Sequence, residues 1–478
     1  MLFNSLQFLF FFLTVVLVYF ILPYRFRWMW LLGASCFFYM AFIPVYILVL
    51  LGTILVDYFA AIYIEQSSGH RKKIWLIVSI CSTCLILFIF KYFNFFNANL
   101  MKLAKIFDLH YPVNKLSLIL PIGLSFHTFQ SLSYVIEVYR GRQQAERHFG
   151  IYALYVMFFP QMVAGPIERP QNLLHQFYEK HHWDYNRIAS GLKLMLWGFF
   201  KKVVIADGLA VFVNQVYGHP GGFSAKALVL ATYFFSIQIY CDFSGYTDIA
   251  RGAARVLGFG LMKNFKSPYL AATIGEFWQR WHISLSTWFR DYLYIPLGGN
   301  RVPAWVWYRN LLIVFLISGL WHGANWTFVC WGCLHGFYFI FSIITRDFRK
   351  KSADFFFPGK LEGVHRIIQQ LITFHLVTFA WIFFRANSIA DVALILKRIF
   401  VRGTPIAFQS IDGLEAKVLV FIVVCVVFME WVQNNKRRVQ DFLFKCYLPF
   451  RWALYYGFIL FVLLAGTYKT QQFIYFQF

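Results

Sequence analysis

Charge is scarce in this chain. Asp and Glu together number 21 in 478 residues, and all charged side chains make up 14%, against about a quarter in ordinary soluble domains. A water-facing surface cannot be built from so few, which excludes a soluble enzyme. Eight cysteines are too few for a secreted disulfide scaffold of this length. Fourteen prolines and 30 glycines are too few for a disordered, linker-rich chain. Chemical signatures are missing as well. No Gly-x-Ser-x-Gly supports a nucleophile-elbow hydrolase, and neither a Walker loop nor His-Glu-x-x-His occurs.

What is present is apolar surface. Hydrophobic residues make up 60% of the chain and aromatics 22%, with 59 phenylalanines. This composition predicts an all-α polytopic membrane protein, since in hydrocarbon a chain that is not a closed barrel must satisfy its backbone within helices. The net charge of +23 is spread in short clusters beside apolar runs. Its anionic partner is therefore lipid headgroups and not nucleic acid. Cys81/Cys84 and Cys330/Cys333 lie in apolar runs without zinc-finger flanks and read as small buried hydrophobes.

Ser5 to Leu22 is uncharged and long enough for a crossing at roughly 20 residues. No Lys or Arg precedes it, so it lacks the basic n-region of a signal peptide and reads as a retained first helix. Arg25 and Arg27 follow it, which places the N-terminus outside by the positive-inside rule. Trp28 to Ile43 and Val45 to Ile64 then lead to Arg71, Lys72 and Lys73. Ile74 to Phe93 and Leu116 to Tyr139 lead to Arg140, Arg142 and Arg147. Each basic cluster is separated from the last by an even number of spans, as one cytoplasmic side requires. Lys102, Lys105 and Lys115 fall on the outer side and run against the rule.

Further apolar segments lie near Tyr152 to Val163, Leu192 to Val213, Ala227 to Tyr240, Leu311 to Ile344, Ile367 to Phe384, Val418 to Trp431 and Leu454 to Leu464. Several are too short or too polar for a plain span, which predicts about 11 to 13 transmembrane and re-entrant helices around a cavity. Without a repeat, linker or long polar interval, residues 1–478 read as a single membrane-embedded domain.

Leu311 to Ile344 holds no Lys, Arg, Asp or Glu yet contains Trp321-His322-Gly323-Ala324-Asn325-Trp326. An ionisable residue at membrane depth marks a candidate functional site. At helical spacing Asn325 falls on the side of His322, where it could orient the ring or bind substrate. A histidine that only packs between helices is the alternative, and for His127, His335 and His375 packing is the preferred reading. Glu276 to Tyr292 is the second constellation. Turned as one helix, it puts Trp278, Trp281, Leu285, Trp288 and Tyr292 on one face, with Arg280, Ser284, Thr287 and Asp291 opposite and His282 at the border. Such a helix either lies in the membrane interface or re-enters and brings His282, Arg280 and Arg290 to a charged substrate. Asp242 and Asp248, after an apolar segment, read as a cation or proton site or as structural caps.

These histidine segments resemble the membrane-bound O-acyltransferase family, and within it the bacterial branch that O-acetylates alginate and other polysaccharides. The resemblance is carried by Phe159-Pro160-Gln161-Met162-Val163-Ala164-Gly165-Pro166-Ile167, by Asp242 to Asp248, by the long run from Arg280 to Asn300, and by Gly319-Leu320-Trp321-His322-Gly323-Ala324. It extends over essentially the whole chain, with the family core at roughly residues 120–400.

The resemblance implies a ring of helices around a thinned centre, with a tunnel in which a cytoplasmic acyl thioester meets an acceptor from the other side. It implies that His322 is the catalytic histidine and His282 the polar residue paired with it. Trp321, Asn325, Arg280, Trp281, Arg290 and Asp291 are the candidate substrate-binding residues. No tightly bound cofactor is expected, the donor being acetyl-coenzyme A or an acyl carrier protein. It implies residence in the bacterial inner membrane and an extracytoplasmic partner transferase of the SGNH, serine-hydrolase-like type that acts on the polysaccharide. Acetyl or D-alanyl transfer to peptidoglycan or teichoic acid is the alternative inside the family. A transporter is the alternative outside it, but the two related halves it predicts are not seen.

Overall fold

The computed structural model describes residues 1, 3–356, 362–401, 424, 428–429, 431–432, 435–468 and 473–474. Among these the regular structure is helical throughout. They group into two compact units, Met1–Met195 with Tyr246–Lys263, and Leu196–Gly245 with Asn264–Phe478. Among the described residues seven helices are long and apolar enough to cross a membrane. Shorter helices account for most of the remaining apolar segments. The segment predicted at Val418 to Trp431 lies largely outside the described residues.

In the first unit, Leu6–Ile21 shows why these helices suit lipid. Phe8, Phe12, Val15, Val16 and Tyr19 form its buried stripe, while the opposite stripe is just as apolar and open, with Leu6 74% and Ile21 79% exposed. A helix apolar all round belongs in a hydrocarbon solvent. Tyr24–Met40 and Tyr46–Gln66 follow. The next helical run, Gly69–Ile106, is 38 residues long with a π segment at Phe88–Tyr92.

Here one expected span is redrawn. Leu116 to Tyr139 is not a single helix, because the chain before Gly123 has no regular structure and Leu124–Tyr139 alone is helical. The irregular stretch contains Pro112 and Pro121 and is clamped by side-chain amides. Asn94 donates to the Leu116 carbonyl at 2.8 Å and accepts from its N–H at 2.9 Å, and Asn97 donates to the carbonyls of Val113 and Asn114. These bonds replace the helical ones that proline removes. Tyr152 to Val163 is likewise broken into two short buried helices, Phe149–Met157 and Phe159–Met162, with Pro160 in the first turn of the second.

The second unit carries a long helix as far as Gly245. That helix, Ala225–Leu257, runs for 33 residues, well past the Tyr240 at which the apolar run ends. Asp242 and Asp248 are therefore mid-helix residues, and the capping alternative is overturned. Asp242 is buried and pairs with Lys202, whose ammonium lies 2.6 Å from Asp242 Oδ1 and 2.8 Å from Asp207 Oδ1. Lys202 reaches both carboxylates from a π segment, Phe200–Ala206, and a paired charge is the form in which burial is tolerated. Asp242 Oδ2 also accepts from the Ile474 N–H at 2.8 Å, which ties the C-terminal segment to this helix. Asp248, in the first unit, pairs with Arg251 one turn on.

Leu311 to Ile344 resolves into parts of two helices, Ala304–His322 and Trp326–Ile344, packed as a tight hairpin. Small residues allow the approach. A Cβ placed on Gly319 would run into the carbonyl of Phe328, and one on Gly332 into that of Phe315. In lipid, where water does not drive helices together, such close backbone contact is a main source of association energy. Gly332→Ala is expected to lower the stability of the detergent-purified protein by about 1–3 kcal/mol, the cost of overpacking; an unchanged thermal midpoint would refute this close packing.

Candidate functional site

Both histidines singled out by the sequence sit where a helix stops, and both belong to the second unit. His322 is the last residue of Ala304–His322 and is 3% exposed. Gly323 follows with extended backbone. Asn325 then caps the next helix, accepting from the Thr327 N–H at 3.1 Å and donating to the Asn387 carbonyl at 2.9 Å. The helix breaks between the two residues, so Asn325 does not share a helical face with His322 as expected. An N-terminal N–H left bare at membrane depth is costly, and the cap satisfies it. The His322 ring is held edge-on by Trp321, Trp331 and Phe384, with centroids 4.9, 5.0 and 5.2 Å away.

Glu276 to Tyr292 is not one amphipathic helix either. Ile274–Arg280 ends before Trp281, and Ile283–Phe289 begins after His282, whose φ of 43° and ψ of 55° are left-handed. A non-glycine residue in this region is strained, and such strain is concentrated at functional sites. The turn is pinned from outside. Asn264 accepts the Ile283 N–H at its carbonyl (2.9 Å) and the Ser284 N–H at Oδ1 (3.1 Å), while the Lys266 N–H bonds the Arg280 carbonyl at 3.0 Å.

The break changes the face assignment made for a single helix. Ser284, placed on the polar side, is fully buried together with Trp281 and Leu285. The ring of His282 is also fully buried and lies edge-on to Phe243 at 4.6 Å. Burial pushes its pKa down to about 3, so the ring is neutral at any physiological pH.

One indole joins the two sites. Trp321 lies 6.3 Å from His282 and 4.9 Å from His322 between ring centroids. Trp281 is buried against Trp381, Phe265 and Phe277. His282, His322, Trp281 and Trp321 thus share one aromatic cluster. The charged candidates have other placements. Arg280 pairs with Glu276 one turn back and donates to the Ser267 carbonyl. Arg290 and Asp291 pair with each other at 2.8 Å with the Arg290 side chain 59% exposed, at the start of a π segment, Arg290–Tyr294. A cavity of about 210 Å³ lined by Arg25, Arg27, His148 and aromatic residues lies in the first unit.

The sequence does not single out Asn264, which has no local signature because it matters only through the segment it meets in the fold, and it includes Phe243 only as part of the Asp242 to Asp248 stretch.

The arrangement presents two buried imidazoles in aromatic surroundings, suited to proton transfer with a hydroxyl away from bulk water. Residues 148–385, which contain both histidines, match the membrane-bound O-acyltransferase family (MBOAT). The chain is 39% identical over 432 residues to a peptidoglycan O-acetyltransferase of Helicobacter pylori, covering 83% of this chain and 79% of that protein. The chain belongs to the membrane-bound O-acyltransferase family. It is an acyltransferase and a multi-pass membrane protein. It is also 36% identical over 447 residues to a probable alginate O-acetylase, AlgI, of Pseudomonas aeruginosa (92% and 83% covered). A teichoic acid D-alanyltransferase of Bacillus subtilis is more distant, 28% identical over 295 residues (58% and 70% covered).

The Asn264 clamp has a measurable consequence. Asn264→Ala leaves the buried Ser284 N–H without its acceptor, and an expected loss of roughly 1–3 kcal/mol is to be read in thermal unfolding; a value within error of wild type would show that the turn at His282 holds itself.

Proposed function

We propose that this membrane O-acyltransferase takes an acetyl group from a cytoplasmic thioester and delivers it for O-acetylation of an extracytoplasmic polysaccharide, through a separate partner transferase. The observation that carries this reading is the pair of buried histidines at helix breaks, His322 and His282, sharing Trp321. Greater identity and coverage towards proteins named as O-acetyl transferases than towards a D-alanyltransferase favour acetyl.

The chemistry follows from residue types. The thioester is already activated, so the site must remove a proton from the attacking hydroxyl. His322 takes that proton as general base, the oxygen bonds to the acyl carbon, and the carbon–sulfur bond breaks. The proton passes to the departing sulfur, so the ester and a free thiol leave and the imidazole is restored. His282, kept neutral by burial, retains an N–H that stabilises charge developing on the carbonyl oxygen or positions the acceptor. The thioester is a substrate of coenzyme A or carrier-protein type, and no resident cofactor is required for these steps.

The acceptor for this chain is a hydroxyl of an SGNH-type, serine-hydrolase-like extracytoplasmic partner, which passes the group to the polymer. Purified protein with labelled acetyl thioester is expected to turn over slowly alone and faster with such a partner or a small hydroxyl acceptor. His322 packs against three aromatic rings, so Gln is more informative than Ala, which would open a cavity. His322→Gln is expected to cut transfer by about 10²–10⁴-fold with insertion intact, and His282→Gln by less. Near-wild-type transfer by the His322→Gln protein would remove His322 from the mechanism, and efficient acetylation of intact polymer without a partner would remove the relay.

The same reading places the chain in the bacterial inner membrane with its N-terminus outside and Arg25, Arg71 to Lys73 and Arg140 to Arg147 in the cytoplasm. At helical rise, the 38 residues of Gly69–Ile106 extend about 57 Å, against roughly 30 Å of hydrocarbon. The run therefore continues past the hydrocarbon towards Lys102 and Lys105, which in this reading lie on the outer side and run against the positive-inside pattern. A cysteine at position 72 (Lys72→Cys), in a background lacking reactive cysteines, is expected to resist impermeant thiol reagents in intact cells; labelling from outside would invert the topology.

A further inference from the structure

His335 reads as a packing histidine in the sequence, yet its surroundings do not suit one. It is fully buried, and among the described residues neither ring nitrogen has a hydrogen-bond partner. Its ring is nearly parallel to those of Phe277 and Phe315, at 7° and 19°, with centroids 6.3 Å from each. Two indoles close the sides, Trp278 at 5.0 Å and Trp331 at 4.9 Å, themselves 5.7 Å apart. The indole Nε1 atoms of both tryptophans are buried and likewise without a protein partner among the described residues. Four polar nitrogens on three touching rings are thus unsatisfied in one place. Each such group has given up its bonds to water without replacement, and native interiors rarely tolerate even isolated cases. A position needing only volume would be filled better by phenylalanine.

The inventory of these atoms defines what they can bind. Two indoles supply one N–H each, and a neutral imidazole supplies one donor and one acceptor. Of these three donors and one acceptor a secondary amide engages three groups and brings no charge: its carbonyl oxygen accepts two bonds and its N–H donates one. A phosphate or carboxylate would arrive with uncompensated charge and is disfavoured. The location is equally specific, because Trp331 also borders His322 at 5.0 Å, so one indole separates the cluster from the proposed base. In a pantetheine arm the first amide lies an ethylene unit from the thioester sulfur.

We propose that His335, Trp278 and Trp331 form a subsite that binds the first amide of the acyl donor's arm and so positions the thioester at His322. This rests on the thioester reading above. Its effect falls on donor binding: the amide satisfies nitrogens that are otherwise bare, and a donor lacking the amide forgoes that gain.

The experiment compares S-acetyl-pantetheine with an S-acetyl alkanethiol lacking the amide, using the full-length protein in detergent with a small hydroxyl acceptor. Wild type is expected to prefer the amide-bearing donor. In His335→Phe, and independently in Trp278→Phe, which keeps an aromatic ring, that preference in kcat/KM is expected to fall about tenfold, mainly through KM. The thermal midpoint of His335→Phe is expected to hold or rise, since an apolar ring replaces an unsatisfied one. Unaltered donor preference in folded variants overturns the subsite and assigns the nitrogens to water or to packing alone. If His335→Phe does not fold, Trp278→Phe decides the matter by the same measure. Wild-type protein that turns over neither thioester would overturn the thioester reading, and the subsite with it; an active wild type with unchanged variants overturns the subsite only.

Discussion

A polar group inside hydrocarbon must find its partner within the protein, and the second unit is organised around that requirement. A helix that stops at membrane depth exposes backbone groups that water cannot reach. The chain stops helices twice near the candidate site, after His322 and around His282, and at each break asparagine closes the ends. Asn325 caps from within the break, and Asn264 reaches in from another segment. The same device holds the irregular chain before Gly123, where Asn94 and Asn97 replace lost helical bonds. Helix breaks permit close approach of a substrate, and the amides make them affordable.

Aromatic side chains supply the rest of the environment. Rings set edge-on around His322 and His282 provide contact area without formal charge or abundant hydrogen-bond acceptors. For His282 this burial keeps the ring in its neutral form. A neutral imidazole keeps one N–H and one bare nitrogen, so it can donate and accept a hydrogen bond without bringing charge into the apolar surroundings. The buried Lys202 with Asp207 and Asp242 handles charge differently, by pairing it at 2.8 and 2.6 Å. The bond from Asp242 to the Ile474 backbone makes this cluster an anchor for the C-terminal segment.

Much of this was legible in the linear chain. Apolar content identified a polytopic helical membrane protein, because no soluble surface can be made from it. His322 stood out because an ionisable group in an otherwise uncharged run must be accounted for, and the motifs around His282 and His322 carried the family. The misreadings share one cause, the assumption that helical periodicity continues through a polar residue or a proline. It put Asn325 on the face of His322, turned Glu276 to Tyr292 as one helix, and extended a helix through Leu116.

By itself, the sequence determined the solvent the protein lives in, the family it belongs to and which two histidines merit attention, since these follow from composition and from motifs read locally. Only tertiary structure decided where the helices break, that Trp321 lies between His282 and His322, that Asp242 pairs with Lys202, and that His335 shares its unsatisfied nitrogens with two indoles. The physical reason is that a left-handed turn, a buried ion pair or an unpaired nitrogen is defined by the distant segments around it, and local propensity contains no information about those neighbours.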